Sequence, residues 1–331
     1  MKLLLVCVCT GIALAGSGET RVGIIGLDTS HAVAFTKIMN VDRDPGVAGF
    51  RVTAAYQWGS RDIFSSTNRY PKYLAEVRKM GVEVVPTLDE LLARVDVVCL
   101  ETNDGREHLG QAEKVFRAGK PVFIDKPIAH NLADALKIYE LGKKYGAKYF
   151  SASSLRFSRV AKEARAGKYG RIRGADILSP AYYEPTHNFY SWYAIHGFEP
   201  LVAILGLGVE KVSCLRNDQG DVVSAVWKDG RMGQLRLLRE NGCYSGYLLP
   251  EKAPDEKCPL IVYDGYPGFE PLLREVAAFF RTGVPPFPPE ETLEIFAFME
   301  AAEMSAKRGG EPVLVAETIE ACREKPFWKF W

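Results

Sequence analysis

The chain has 331 residues, 47% hydrophobic and 25% charged, with a formal net charge of +1. That length suits two domains rather than one core, and the composition is that of an ordinary globular protein. A near-neutral charge without any basic block excludes a phosphate-neutralising surface, so neither nucleic acid nor a membrane is an expected partner. The 7 cysteines are scattered, with no Cys-x-x-Cys pair, so neither a zinc ribbon nor a disulfide scaffold is indicated and no metal is expected.

Lys2 precedes an apolar run from Leu3 to Ala15 that ends in Ala13-Leu14-Ala15, a small-x-small cleavage pattern, and then Gly16-Ser17-Gly18. This reads as a cleavable export signal over residues 1–15, too short to span a bilayer. It places the mature protein in the periplasm or outside the cell. The alternative is a start placed upstream of a protein that is not exported.

From Arg21 short apolar runs alternate with helical periods. Arg21 to Leu27 reads as a strand and His31 to Asn40 as a helix, with Thr29 or Ser30 as its N-cap. Arg51 to Gln57, Val82 to Val85, Asp96 to Glu101, Val122 to Ile124 and Lys148 to Phe150 read as further strands. Helices are expected at Tyr73 to Met80, Leu88 to Arg94, His108 to Ala118 and Leu132 to Tyr145. The alternation predicts an α/β fold: a Rossmann-type doubly wound parallel sheet over residues 20–150, with ligands at the carboxyl ends of its strands. From residue 151 to 331 longer alternating strands and two late helices predict an α+β domain with a mostly antiparallel sheet that supplies substrate contacts.

The turn after the first strand, Gly26-Leu27-Asp28-Thr29-Ser30-His31, is a divergent version of the glycine fingerprint that lets a backbone approach a dinucleotide phosphate. Gly26 serves as the first glycine. Asp28 and His31 stand where the second and third belong, and a carboxylate at Asp28 repels phosphate unless it turns away. Thr29, Ser30 and His31 remain as candidate donors to a cofactor. At the end of the second strand Gln57 replaces the usual ribose-binding acid, and Ser60 and Arg61 are placed to meet a 2′-phosphate. NAD and NADP both stay open.

The segment VDVVCLETNDGREHLGQAEKVFRAGKPVFIDKPIAHNLADALKI, from Val95 to Ile138, resembles the Gfo/Idh/MocA family of NAD(P)-dependent sugar and polyol oxidoreductases. Thr102-Asn103-Asp104 matches the family's Thr-Pro-Asn-like turn, His108 its following histidine, and Asp125-Lys126-Pro127 its Glu-Lys-Pro. Leu155-Arg156-Phe157 and the helix around Met299 extend the resemblance over residues 21 to about 318. It implies that Lys126 carries the proton that accompanies hydride transfer, that Pro127 is cis, and that Gly26, Asp28, Thr29, Ser30, His31, Arg61, Thr102, Asn103, His108, Asp125 and Lys126 surround an NAD or NADP cofactor. It also implies a homo-oligomer. An ammonium beside a positive nicotinamide ring in a desolvated cleft has a lowered pKa, which supports the proton role independently.

The aromatic stretch from Pro185 to Glu199 resembles the family's Asp-x-Gly-x-His segment. His196 matches the family histidine and is the second catalytic candidate, while Trp192 replaces the aspartate. Arg156, His187, Trp192, Tyr193 and His196 are the candidate substrate contacts, with a small sugar as the expected substrate. Arg156 either binds a substrate carboxylate or ties the domains together. Three activities remain: hydride transfer to or from a sugar hydroxyl, redox-neutral sugar cleavage with a permanently held NAD, and non-catalytic sugar binding on the same scaffold.

Overall fold

The computed structural model describes residues 18–57, 59–251 and 260–324. The expected export segment lies outside them. Among the described residues no helix is long and apolar enough to cross a membrane.

In the first half the chain runs β1 (Thr20–Ile25), α1 (Ser30–Thr36), β2 (Phe50–Tyr56), α2 (Phe64–Lys79), β3 (Glu83–Val85), α3 (Leu88–Arg94), β4 (Val97–Leu100), α4 (His108–Arg117), β5 (Val122–Asp125), α5 (Leu132–Tyr145) and β6 (Tyr149–Ala152). The six strands form one parallel sheet in the order β3-β2-β1-β4-β5-β6, the doubly wound arrangement expected. β4, β5 and β6 are buried at every position, which is why they read as unbroken apolar runs rather than alternating ones. Strand order reverses between β1 and β4, so the crevice beyond their carboxyl ends is where a ligand belongs.

One helix departs from expectation. α2 begins at Phe64, not Tyr73, and carries Pro71 inside it. Proline normally marks a helix boundary because it lacks an N–H. Here the carbonyl it leaves unbonded belongs to exposed Thr67, where water can satisfy it. The early start matters for function, because the extra turns carry Ser65, Ser66 and Arg69 to the carboxyl edge of the sheet.

The second half contributes α6 (Arg159–Arg165), β7 (Ile172–Pro180), α7 (Ile195–Leu205), β8 (Val209–Asn217), β9 (Gly220–Trp227), β10 (Met232–Leu238), β11 (Ser245–Pro250), β12 (Ile261–Val262), α8 (Glu270–Thr282), α9 (Pro289–Lys307), β13 (Val313–Leu314) and α10 (Val315–Glu324). Its seven strands are ordered β12-β11-β7-β10-β9-β8-β13, antiparallel throughout except for the β7–β10 pair. β9 alternates buried and half-buried residues because only one face of this sheet is covered. α7 is apolar around its circumference and buried along its whole length, lying under that sheet and against α9.

The two halves are joined by more than the crossover. α8, late in the chain, packs Leu272, Leu273, Val276 and Phe279 with Phe35 of α1 and with Ile24, Phe123 and Phe150 of the first sheet. That packing brings Phe269, just before α8, against the first turn of α1, where its ring meets His31 edge-on at 4.7 Å.

Candidate active site

A cleft of about 400 Å³ opens beyond the carboxyl ends of β1, β4 and β5 and is roofed by the second domain. Thr29, Ser30 and His31 from the start of α1, Asn103 after β4 and Lys126 after β5 form its floor. Tyr182, Trp192, Tyr193, His196 and Tyr244 come from the other side. Thus Lys126 and His196, 70 residues apart in sequence numbering, face one cavity.

Lys126 follows the last residue of β5, and its peptide bond to Pro127 is cis. Burial lowers its pKa, and the neighbouring positive charge of Arg69 adds to this, against the pull of Asp125 and Glu101. His196, in the first turn of α7, has Nδ1 2.7 Å from Ser153 Oγ and its ring edge-on to Tyr193 at 5.1 Å. Burial holds the His196 pKa well below that of free histidine, and the charges of Lys126 and His31 push the same way, so the ring is neutral. A neutral imidazole beside a lysine with a lowered pKa can orient and exchange a hydroxyl proton.

The turn after β1 is built differently from a glycine cradle. Gly26 has φ +89, and a Cβ there would sit 2.5 Å from the Thr102 Cα, so only glycine lets the β1 and β4 ends approach this closely. Asp28 is 0% exposed and points away from the cleft. Its Oδ2 accepts from Ser60 N–H at 3.2 Å and Ser66 O–H at 2.5 Å, and its Oδ1 from Asn103 N–H at 3.0 Å. The carboxylate therefore binds the loops after β2 and β4 together and does not confront an anion. Burial raises the Asp28 pKa in spite of these donors.

Asp125 is expected among the residues around the cofactor. Its Oδ1 instead accepts from the Lys126 backbone N–H at 2.7 Å, and its Oδ2 lies 2.9 Å from His31 Nδ1. Glu101 stands 3.5 Å from the same nitrogen. Burial disfavours the His31 proton, but Asp125 and Glu101 outweigh it and push the imidazole up to about 9. Burial, with the negative charge of Asp125, pushes Glu101 up to about 7.

Several candidates lie behind the cleft wall rather than on it. Thr102 is buried with its hydroxyl on Gln111 at 2.8 Å. His108 is buried and bonds the Thr102 carbonyl through Nε2 at 2.7 Å, so it shapes the turn and does not reach a ligand. Arg156 is occupied by Glu199 at 2.8 Å and Glu291 at 2.6 Å, with Phe287 under its guanidinium; it ties α7 and α9 to the crossover. The buried His187 accepts from Gly105 N–H at 3.3 Å and lies 3.3 Å from Asp104, so it docks the aromatic segment onto the first domain. The Ser60 hydroxyl donates to Asp104 at 2.6 Å, with Asp62 a competing acceptor at 3.0 Å, which removes it from any 2′-phosphate role. Arg61 is exposed and lines a separate hollow with Gln57 and Tyr70.

Sequence reading missed Glu101, Ser65, Arg69, Tyr244 and Phe269. Glu101 was discoverable: an acid directly after four apolar strand residues, level with Asp125 in the sheet register. The aromatics were not, because loops far apart in the chain bring them together.

The fold and the cleft at the strand-order reversal define a two-domain dinucleotide-dependent oxidoreductase scaffold. Residues 20–153 match the model of the Gfo/Idh/MocA oxidoreductase family, an NAD-binding Rossmann fold. Solved structures similar over nearly the whole chain include scyllo-inositol dehydrogenase from Lactobacillus casei with bound NAD(H) and scyllo-inositol, at 17% identity and TM-score 0.69, covering 90% of this chain and 99% of that one. An oxidoreductase from Thermotoga maritima is 20% identical with TM-score 0.66, covering 91% and 99%. An oxidoreductase from Agrobacterium radiobacter in complex with NAD+, L-tartaric acid and magnesium is 15% identical with TM-score 0.68, covering 90% and 99%. At these identities the likeness establishes the fold.

The family's cofactor fits the residues present. The start of α1 faces the cleft with no acidic residue in its first turn, no carboxylate lines the cavity, and Asp28 is turned inward. Ser30, Asn103 and Arg69 line the cleft and would be the groups to hold its phosphates and ribose.

Proposed function

We propose that the protein transfers hydride between NAD or NADP and a carbinol of a sugar or sugar derivative. One observation carries this reading: Lys126 and His196 line one cleft, and among the described residues no carboxylate lines it. The cofactor, when bound, supplies a hydride acceptor or donor. Lys126, its pKa lowered by burial, takes the hydroxyl proton when deprotonated as the carbinol is oxidised and returns it in the reverse direction. His196, steadied by Ser153, holds the same hydroxyl or its neighbour. Trp192, Tyr193 and Tyr244 offer faces to a sugar ring and exclude water. The test is a panel of polyols, aldoses and sugar acids incubated with NAD or NADP, read by reduced-nicotinamide absorbance. Stoichiometric cofactor reduction supports the proposal; product formed from bound cofactor with no net reduction would replace it with redox-neutral chemistry.

Export of the mature chain and self-association through the open face of the second sheet, where Leu215, Met232, Tyr247 and Leu314 are exposed, belong to the same reading. N-terminal sequencing of the secreted protein and light scattering check them.

A further inference from the structure

Three strand ends meet behind the floor of the cleft. His31 is in the first turn of α1, after β1; Glu101 follows β4; Asp125 ends β5. Parallel register puts Glu101 level with Asp125, since Leu100 pairs with Ile124, and the first turn of α1 brings His31 to them. All three side chains are buried, and one ligand atom from each lies within 4.8 Å of the others.

Their hydrogen bonding is incomplete. Glu101 is 0% exposed, yet neither of its carboxylate oxygens has a hydrogen-bond partner among the described residues. His31 Nδ1 comes within 2.9 Å of Asp125 without the alignment of a hydrogen bond. Buried polar groups are ordinarily satisfied, and a buried carboxylate without hydrogen bonds is unfavourable. Three donor atoms gathered this closely, with hydrogen bonds left unmade, are what a cation's ligands look like. Around a first-row divalent ion with bonds of about 2.1 Å, neighbouring donors lie about 3 Å apart. The 2.9 Å and 3.5 Å approaches match that spacing.

We infer that His31, Glu101 and Asp125 bind one divalent first-row cation, such as Zn²⁺ or Mn²⁺, behind the cleft floor. Imidazole with two carboxylates suits either ion and disfavours soft Cu(I). His31 lines the cleft while both carboxylates lie deeper, so the coordination positions the protein leaves open face the cavity. The third glycine position of the β1 turn is thereby a ligand position, which accounts for a histidine there.

The test uses the untagged mature chain. Metal content is measured by plasma mass spectrometry, and chelator-stripped protein is titrated with ZnCl₂ or MnCl₂ by calorimetry. The expected result is one ion per chain, with affinity falling at least 10-fold in Glu101→Gln and in His31→Gln. Electron spin-echo spectra of the Mn²⁺ form should show nitrogen coupling in the wild type and lose it in His31→Gln, a readout that survives if one variant folds poorly. Stripped wild-type protein that binds neither ion, or that binds as well in both variants as without them, overturns the assignment. Hydride-transfer activity plays no part in this readout, so the failure of one proposal does not decide the other.

Discussion

The turns after β1 and β5 stand at the same edge of the same sheet, and the sequence has treated them in opposite ways. The β5 end keeps a short motif whose lysine enters the cleft. The β1 end keeps one glycine of three and fills the other two places with Asp28 and His31. The difference shows how a binding loop can be rebuilt without losing its fold. Asp28 replaces backbone freedom with three hydrogen bonds that clamp neighbouring loops. His31 replaces a close helix-strand contact with aromatic packing on Phe35 and Phe269. One region holds its chemistry by exposing a side chain, the other by burying two.

That contrast can be broken most forcefully at Lys126. Lys126→Ala is expected to lower kcat by about 10²- to 10⁴-fold while leaving cofactor affinity, measured by fluorescence titration, within a few-fold of wild type. Unchanged turnover would remove the β5 end from the reaction.

The next largest effect is expected at Asp28. Asp28→Gly restores a glycine, and if the turn were only an impaired phosphate cradle, cofactor would bind more tightly with no loss of stability. The buried carboxylate instead satisfies three donors, and leaving them unpaired should cost about 3 kcal/mol, seen as a lower urea midpoint at unchanged slope.

Asp104, beside this clamp, sharpens the comparison through pH. Burial alone would raise its pKa, but hydrogen bonds involving His187, Arg106 and Ser60 overcome it and hold the carboxyl far below its usual range. A carboxyl lowered on folding contributes stability above its unfolded pKa of about 3.9 and loses it as pH falls toward the folded value. The melting-temperature gap between wild type and Asp104→Asn should therefore be wide at pH 7 and narrow below pH 4. A gap that stays constant across that range would remove the ionised carboxylate from the account.

The smallest change is expected at Arg61, which is exposed at the edge of its own hollow. Arg61→Ala should alter stability by no more than about 0.5 kcal/mol. If the same substitution weakens NADP binding and spares NAD, Arg61 meets the 2′-phosphate; equal affinities leave it a solvated loop residue.

Much of the architecture was readable in advance because burial leaves a mark on local sequence. Strands buried on both faces are continuous apolar runs, and α3 and α5 fall on the residues their caps and period assign. α2 was misplaced because a proline that usually ends a helix sits where an exposed carbonyl can be left to water. β12, β13 and α10 are too short or too polar to stand out. In the site, Lys126 and His196 were legible from motifs. Arg156 and His187 carry the residue types of ligand contacts, yet their charges and ring nitrogens are taken by protein partners. Glu101 carried no motif at all.

The sequence by itself determined the parallel sheet, the family resemblance of residues 20–153, and the two side chains that face the cleft. These follow from periodicity and short contiguous motifs. Only the tertiary structure decided which way Asp28 points, that Glu101 and Asp125 converge on His31, and that an aromatic wall from the second half closes the cavity. Those facts depend on the register of three parallel strands and on α8 returning to pack against the first sheet. Neither can be seen in a stretch of chain shorter than the whole fold.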